Sequence, residues 1–137
     1  MEDFTRIVKG NMAIYIVKLT RATYKEAREL KFILSKDIND GLKKIIVDLN
    51  QCEFMDSTFI GALVVTLKEL TKIGGELCLV RPKSIAHTIL ESSGTLKFFN
   101  IKDTLDKAVQ SMEYIDTLSN YDFIDKDGIP LRTSLKF

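Results

Sequence analysis

A chain of 137 residues, 45% hydrophobic and 28% charged, has the size and composition of one domain with a packed core. Its formal net charge of +1 gives no field that would favour direct contact with nucleic acid or acidic lipid. No apolar run approaches the ~20 residues needed to cross a bilayer, so no membrane association is expected.

The N-terminal stretch MEDFTRIVKG begins acidic and lacks the apolar core of a signal peptide. It reads as a first strand over residues 4–9. A second strand, MAIYIV, follows over residues 12–17, and Gly10-Asn11 between them favours a tight hairpin. Thr23-Tyr24-Lys25-Glu26 is a capping-box pattern. Ala27, Leu30, Leu34 and Ile38 then recur at helical spacing until Gly41. The near-continuous apolar run KIIVDL at 44–49 predicts a strand buried on both faces.

A second helix is expected from Ser57 to Ile73, with Ile60, Leu63, Val64, Leu67 and Leu70 inward and Gly74-Gly75 as its stop. ELCLV at 76–80 reads as the next strand. Pro82 suits the first turn of a third helix, with Ile85, Ala86, Ile89 and Leu90 inward and Gly94 at its close. Phe98 to Ile101 is a short strand, and Asp103 is placed to cap a last helix carrying Leu105, Ala108, Val109 and Met112 on one side. The order β-β-α-β-α-β-α-β-α defines an α/β fold, a mixed sheet with helices packed against it.

From residue 116 to 137 the helical periodicity stops. This segment reads as a C-terminal extension, either a loosely held tail or an added hairpin turning at Asp127-Gly128. The acidic positions around Asp125 fall short of a calcium loop.

Cys52 and Cys78 lack metal-site spacing and read as reduced core thiols, with a cytoplasmic location expected. Lys43-Lys44 and Arg81-Pro82-Lys83 read as solvated surface. His87 lies among apolar helix residues, and no phosphate loop, metal cluster or nucleophile–base pair accompanies it. The chain is therefore not expected to be an enzyme, nor to need a metal or other cofactor.

The chemistry-bearing element is CEFMDSTFIG, residues 52–61, after a strand and at the start of an apolar helix. An oxygen of Asp56, Ser57 or Thr58 would satisfy one or two of the four free amides there. The same amides and the helix dipole would also tolerate a phosphoryl group on Ser57. Helical geometry at 100° per residue places Ala62 and Val65 away from the Ile60–Leu63–Leu67 face, with Phe59 on the flank. These three form a candidate partner-binding surface beside Ser57.

IIVDLNQCEFMDSTFIGALVVTLKEL followed by GGELCLV resembles the central block of the STAS domain, and is most similar to bacterial anti-sigma-factor antagonists. The family shows a strand ending in Asp-Leu, a loop, then Met-Asp-Ser-Ser/Thr-Gly-Leu-Gly opening a helix. AHTILESSGTLKFFNIKDTLDKAV resembles the family's closing segment. The resemblance implies a STAS domain over residues 1–115, with about five strands and four helices.

It further implies a regulatory phosphoprotein of signal transduction and transcription regulation. Such an antagonist binds an anti-sigma factor that is also a serine kinase. It is switched off by phosphorylation at Ser57, beside Asp56 and Thr58, and restored by a phosphatase. A monomer or weak dimer is expected. Phe59 stands where the family has Gly, and the extension is a second departure. These two features motivate the alternative, a non-phosphorylated STAS scaffold or small-molecule-sensing module in which Ser57 only caps the helix.

Overall fold

The computed structural model describes the backbone of residues 2–121 and the side chains of residues 2–113. Strands β1 (Phe4–Lys9) and β2 (Met12–Val17) form an antiparallel hairpin in which Lys9 opposes Met12. Gly10 turns it with φ of 63°, a conformation a Cβ would penalise. From β2 the chain runs through a two-residue strand β3 (Arg21–Ala22) into α1 (Tyr24–Asn39), then β4 (Lys44–Asp48) and a second two-residue strand β5 (Phe54–Met55). Next come α2 (Ser57–Lys72), β6 (Glu76–Val80), α3 (Ser84–Ser92), a 3₁₀ turn at Leu96–Phe98, β7 (Asn100–Lys102) and α4 (Leu105–Tyr121).

The main sheet has the order β1-β2-β4-β6-β7, antiparallel only at the hairpin. Side chains alternate across it. Ala13, Tyr15, Val17, Ile45, Val47, Leu77 and Leu79 face the core shared with α1, α2 and α3. Met12, Ile14, Ile46, Cys78 and Val80 face Ala108 and Met112 of α4. Burial on both faces explains the near-continuous apolar runs of β2, β4 and β6.

The Thr23–Glu26 capping box forms as expected, with the Thr23 N–H donating to Glu26 Oε1 at 2.9 Å. The hairpin is also fastened to α1 through Asp37, only 3% exposed. Arg6 donates to its two oxygens at 2.9 and 2.6 Å, and the Tyr15 hydroxyl donates to it as well. Burial alone would raise the Asp37 carboxyl's pKa. The bonds from Arg6 and Tyr15 outweigh it and hold the carboxyl below its ordinary value.

Several expectations need correction. Ile85 is 66% exposed, because α3 starts at Ser84, after Pro82 and Lys83; Ala86 and Leu90 face inward as expected. Residues 96–98 form a 3₁₀ turn, and the last strand starts at Asn100. Thr104, not Asp103, caps α4, accepting from Lys107 N at 3.1 Å. Asp103 instead accepts from Arg81 Nε at 2.8 Å. Lys44 is 8% exposed rather than solvated, and its ammonium donates to Met112 O at 3.3 Å. Helix α4 continues to Tyr121, past the point where its apolar pattern fades. The suggested turn at Asp127-Gly128 and the acidic positions near Asp125 lie outside the described residues.

Candidate functional site

Between β4 and α2 the chain is tied to the segment that precedes α1. The amides of Glu53 and Phe54 both donate to Thr20 O, at 2.8 and 3.1 Å. Strand β5 pairs in parallel with β3, Arg21 opposite Phe54 and Ala22 opposite Met55, and Asp56 N donates to Ala22 O at 3.1 Å. This short ladder sets the amino ends of α1 and α2 side by side.

Asp56 joins them. It caps α2 from extended backbone, φ −96° and ψ 173°, and its Oδ1 accepts from Phe59 N at 2.9 Å. Its Oδ2 accepts from Tyr24 N, the first residue of α1, at 2.8 Å. One carboxylate therefore neutralises free amides of two helices and lies at the positive end of both dipoles. Of the three candidates for the cap, the carboxylate does the work.

Ser57 is the first residue of α2. It and Thr58 are exposed, and among the described residues neither hydroxyl has a hydrogen-bond partner. The rim includes residues that periodicity gave no reason to place there. Tyr24 is 64% exposed and fixed next to Asp56 through its own amide. The Arg21 guanidinium lies 4.2 Å from the Phe54 ring centroid, across the short ladder. Only the tertiary pairing of β3 with β5 brings these residues beside Ser57.

The expected partner surface changes in composition. Phe59 is fully buried and Ala62 is 9% exposed, so neither presents the outer face proposed for it. The cause is lateral cover. Helix α2 lies beside α1, where Glu69 accepts from Lys31 at 3.0 Å, as well as on the sheet. Its buried arc therefore spans Phe59, Ile60, Ala62, Leu63, Thr66 and Leu70. A wheel centred on Ile60, Leu63 and Leu67 misses the α1-facing side. Val65, 42% exposed, does point outward, on the same side of the helix as Ser57 and half-buried Gly61.

Other chemistry is sparse. No group of three or more His, Cys, Asp or Glu among the described residues is arranged to hold a metal. Among the described residues, shallow concavities lie along Ser84, Ile85, Thr88 and Ile89, about 240 Å³, and beside Gly74 and Gly75, about 320 Å³. Neither includes Ser57. His87 is half-buried, its Nε2 3.1 Å from Arg81 Nη1. Among the described residues no helix is long and apolar enough to cross a membrane.

A five-stranded mixed sheet with three helices on one face and a fourth on the other is the architecture of the STAS domain. Residues 7–108 match that family, and the chain belongs to it. Membership makes the chain a regulatory binding domain rather than an enzyme. It is 28% identical over 83 residues to a candidate anti-sigma factor antagonist of Thermotoga neapolitana, covering 61% of this chain and 74% of the relative. The fold is similar to the crystal structure of a candidate anti-sigma factor antagonist of Thermotoga maritima, with a TM-score of 0.70 and 24% identity over 79% of this chain and 92% of that one. It is also similar to the Bacillus cell-fate determinant SpoIIAA in its phosphorylated form, with a TM-score of 0.64 and 19% identity over 80% and 98% of the two chains.

Proposed function

We propose that this STAS domain is an anti-sigma-factor antagonist whose partner is an anti-sigma factor with serine-kinase activity. Binding through the amino end of α2 sequesters the partner. Phosphorylation of Ser57 ends the interaction, and a phosphatase restores it. One observation carries the switch. Asp56 already caps α2, so the exposed Ser57 hydroxyl has no structural duty among the described residues and is free to be modified.

A phosphoryl group on Ser57 brings nearly two negative charges. The amides of Ser57 and Thr58, unbonded among the described residues, and the α2 dipole accept that charge, so the fold survives modification. The Asp56 carboxylate next to it adds repulsion towards an acidic or apolar partner surface. Val65, Gly61 and exposed Tyr24 complete the contact surface, with Phe59 supporting it from beneath.

The alternative, a constitutive scaffold or small-molecule sensor, draws on Phe59 and on the C-terminal extension. The Phe59 side chain fills the core, which removes the first motive; the second rests on residues beyond those described. The deciding measurement is site-resolved mass spectrometry on the protein from its native cells. It is paired with partner capture by the wild type, Ser57→Ala and Ser57→Asp. The reading expects condition-dependent phosphate on Ser57 and partner binding retained by Ser57→Ala but lost by Ser57→Asp. An unmodified Ser57 with equal capture by all three would reject the switch.

A further inference from the structure

Strand β1 forms one edge of the sheet, and its outer side meets no other strand among the described residues. The direction of its free backbone groups follows from the hairpin. Lys18 N donates to Asp3 O at 2.7 Å, and Asp3 and Lys18 continue the register that opposes Phe4 to Val17. In an antiparallel ladder such bonded pairs alternate along the strand. The N–H and C=O groups of Asp3, Thr5, Ile7 and Lys9 therefore point inward to β2. Those of Phe4, Arg6 and Val8 point outward.

This edge is poorly guarded. Ile7 and Val8 are 43% and 46% exposed, and β-branched residues favour further pairing. A cation in the middle of an edge strand ordinarily discourages such pairing. Here the Arg6 side chain, still 46% exposed, has its charge offset by both oxygens of Asp37, which lowers the cost of setting it opposite its counterpart in a second copy.

We infer that β1 pairs antiparallel with β1 of a second copy of this chain, joining the two sheets across a two-fold axis at Arg6. The outward groups fix the register. Phe4 bonds Val8 of the other copy, Arg6 bonds its counterpart, and Val8 bonds Phe4. On the α4 side of the sheet this places Asp3 of each copy opposite Lys9 of the other, and Thr5 opposite Ile7. The next bonded registers in either direction oppose Asp3 to Ile7 or Lys9 to Thr5 and lose the charge match. Lys9, 59% exposed, lies 2.8 Å from Glu113, so the copy's Asp3 would complete an acid–base–acid cluster. The contact is isologous and closes on itself. It uses a sheet edge, while Ser57 stands on α2, so it does not depend on how the serine is read.

Sedimentation equilibrium of the full chain tests the pairing, together with hydrogen exchange resolved to single amides. The expected result is a concentration-dependent dimer in which the Phe4, Arg6 and Val8 amides gain protection as the dimer forms. Val8→Pro removes only an outward N–H and leaves the β2 ladder bonded. It should weaken association by at least about tenfold, equivalent to ~1.4 kcal/mol, while the monomer melts as before. Lys9→Asp should also weaken association, and the exchange Asp3→Lys with Lys9→Asp should restore it. A monomer at every concentration overturns the proposal, as does a dimer indifferent to Val8→Pro or a charge exchange that fails to restore association. Protection of those amides in a concentration-independent monomer overturns it too, and would assign the edge to another part of the same chain.

Discussion

Both oxygens of Asp56 are held by backbone amides of different helices, Phe59 N in α2 and Tyr24 N in α1. Ser57, one residue on, has its hydroxyl in solvent. The two neighbours should therefore respond differently to truncation. Asp56→Ala uncovers two amides at once and should cost about 1–2 kcal/mol, the upper range for losing a helix cap. Ser57→Ala should change stability by no more than ~0.5 kcal/mol, as for other exposed positions without a partner. Urea unfolding of the two variants beside the wild type checks this through shifts in midpoint at constant slope. A Ser57→Ala loss as large as that of Asp56→Ala would mean that the serine is structural. A small one is what the proposed switch requires of a serine with no structural duty.

At the scale of elements, some local signals suffice by themselves and others do not: the turn at Leu96–Phe98 and the start of α3 at Ser84 both depart from what the local pattern predicts. The Gly10-Asn11 hairpin, the Thr23–Glu26 capping box and the three long inner strands each carry their signal within a few residues. What escaped depends on partners distant in sequence. Arg21-Ala22 and Phe54-Met55 are too short to show a period, yet their pairing aligns the two helix ends at Ser57. The burial of Phe59 depends on α1 lying beside α2, which no single-helix wheel contains. Glycines within and after α2 show the same contrast. Gly75 sits where a Cβ would lie 2.6 Å from Lys43 O and 2.8 Å from Leu70 Cδ2, while a Cβ on Gly61 would meet nothing within 4 Å. Gly75→Ala should thus destabilise by ~1–3 kcal/mol through overpacking. Gly61→Ala should stabilise by roughly 0.5–1 kcal/mol, because glycine inside a helix carries that penalty relative to alanine. Thermal melts of both variants test the pair. A gain at Gly61 would show that its present cost serves no purpose within the fold, as expected of a site kept slim for a partner's approach.

At the scale of the whole molecule, the described residues form two apolar clusters on opposite faces of the main sheet, and each holds one cysteine. Cys52 lies in the larger core with residues of α1, α2 and α3, and Cys78 in the smaller one with Ala108 and Met112 of α4. Burial pushes the Cys52 thiol up to about 12, with the Asp48 charge adding to it, and pushes Cys78 to about 11. At neutral pH both are protonated in the native state and unreactive, since the thiolate is the nucleophile. Labelling by an aromatic disulfide therefore reports opening of the fold around each sulfur. Exposing Cys78 requires that α4 leave its apolar face of the sheet, with the Lys44 and Lys9 contacts to Met112 and Glu113. Exposing Cys52 requires breaking the core shared by three helices and most of the sheet. Small peripheral units open at lower free energy than central ones. Cys78 should accordingly react first, and mild urea should widen the gap until global unfolding exposes both. Cys52→Ser and Cys78→Ser variants assign the two phases. Equal rates for both thiols across the urea series would show instead that α4 and the three-helix layer open as one cooperative unit, with the sheet transmitting every loss from one face to the other.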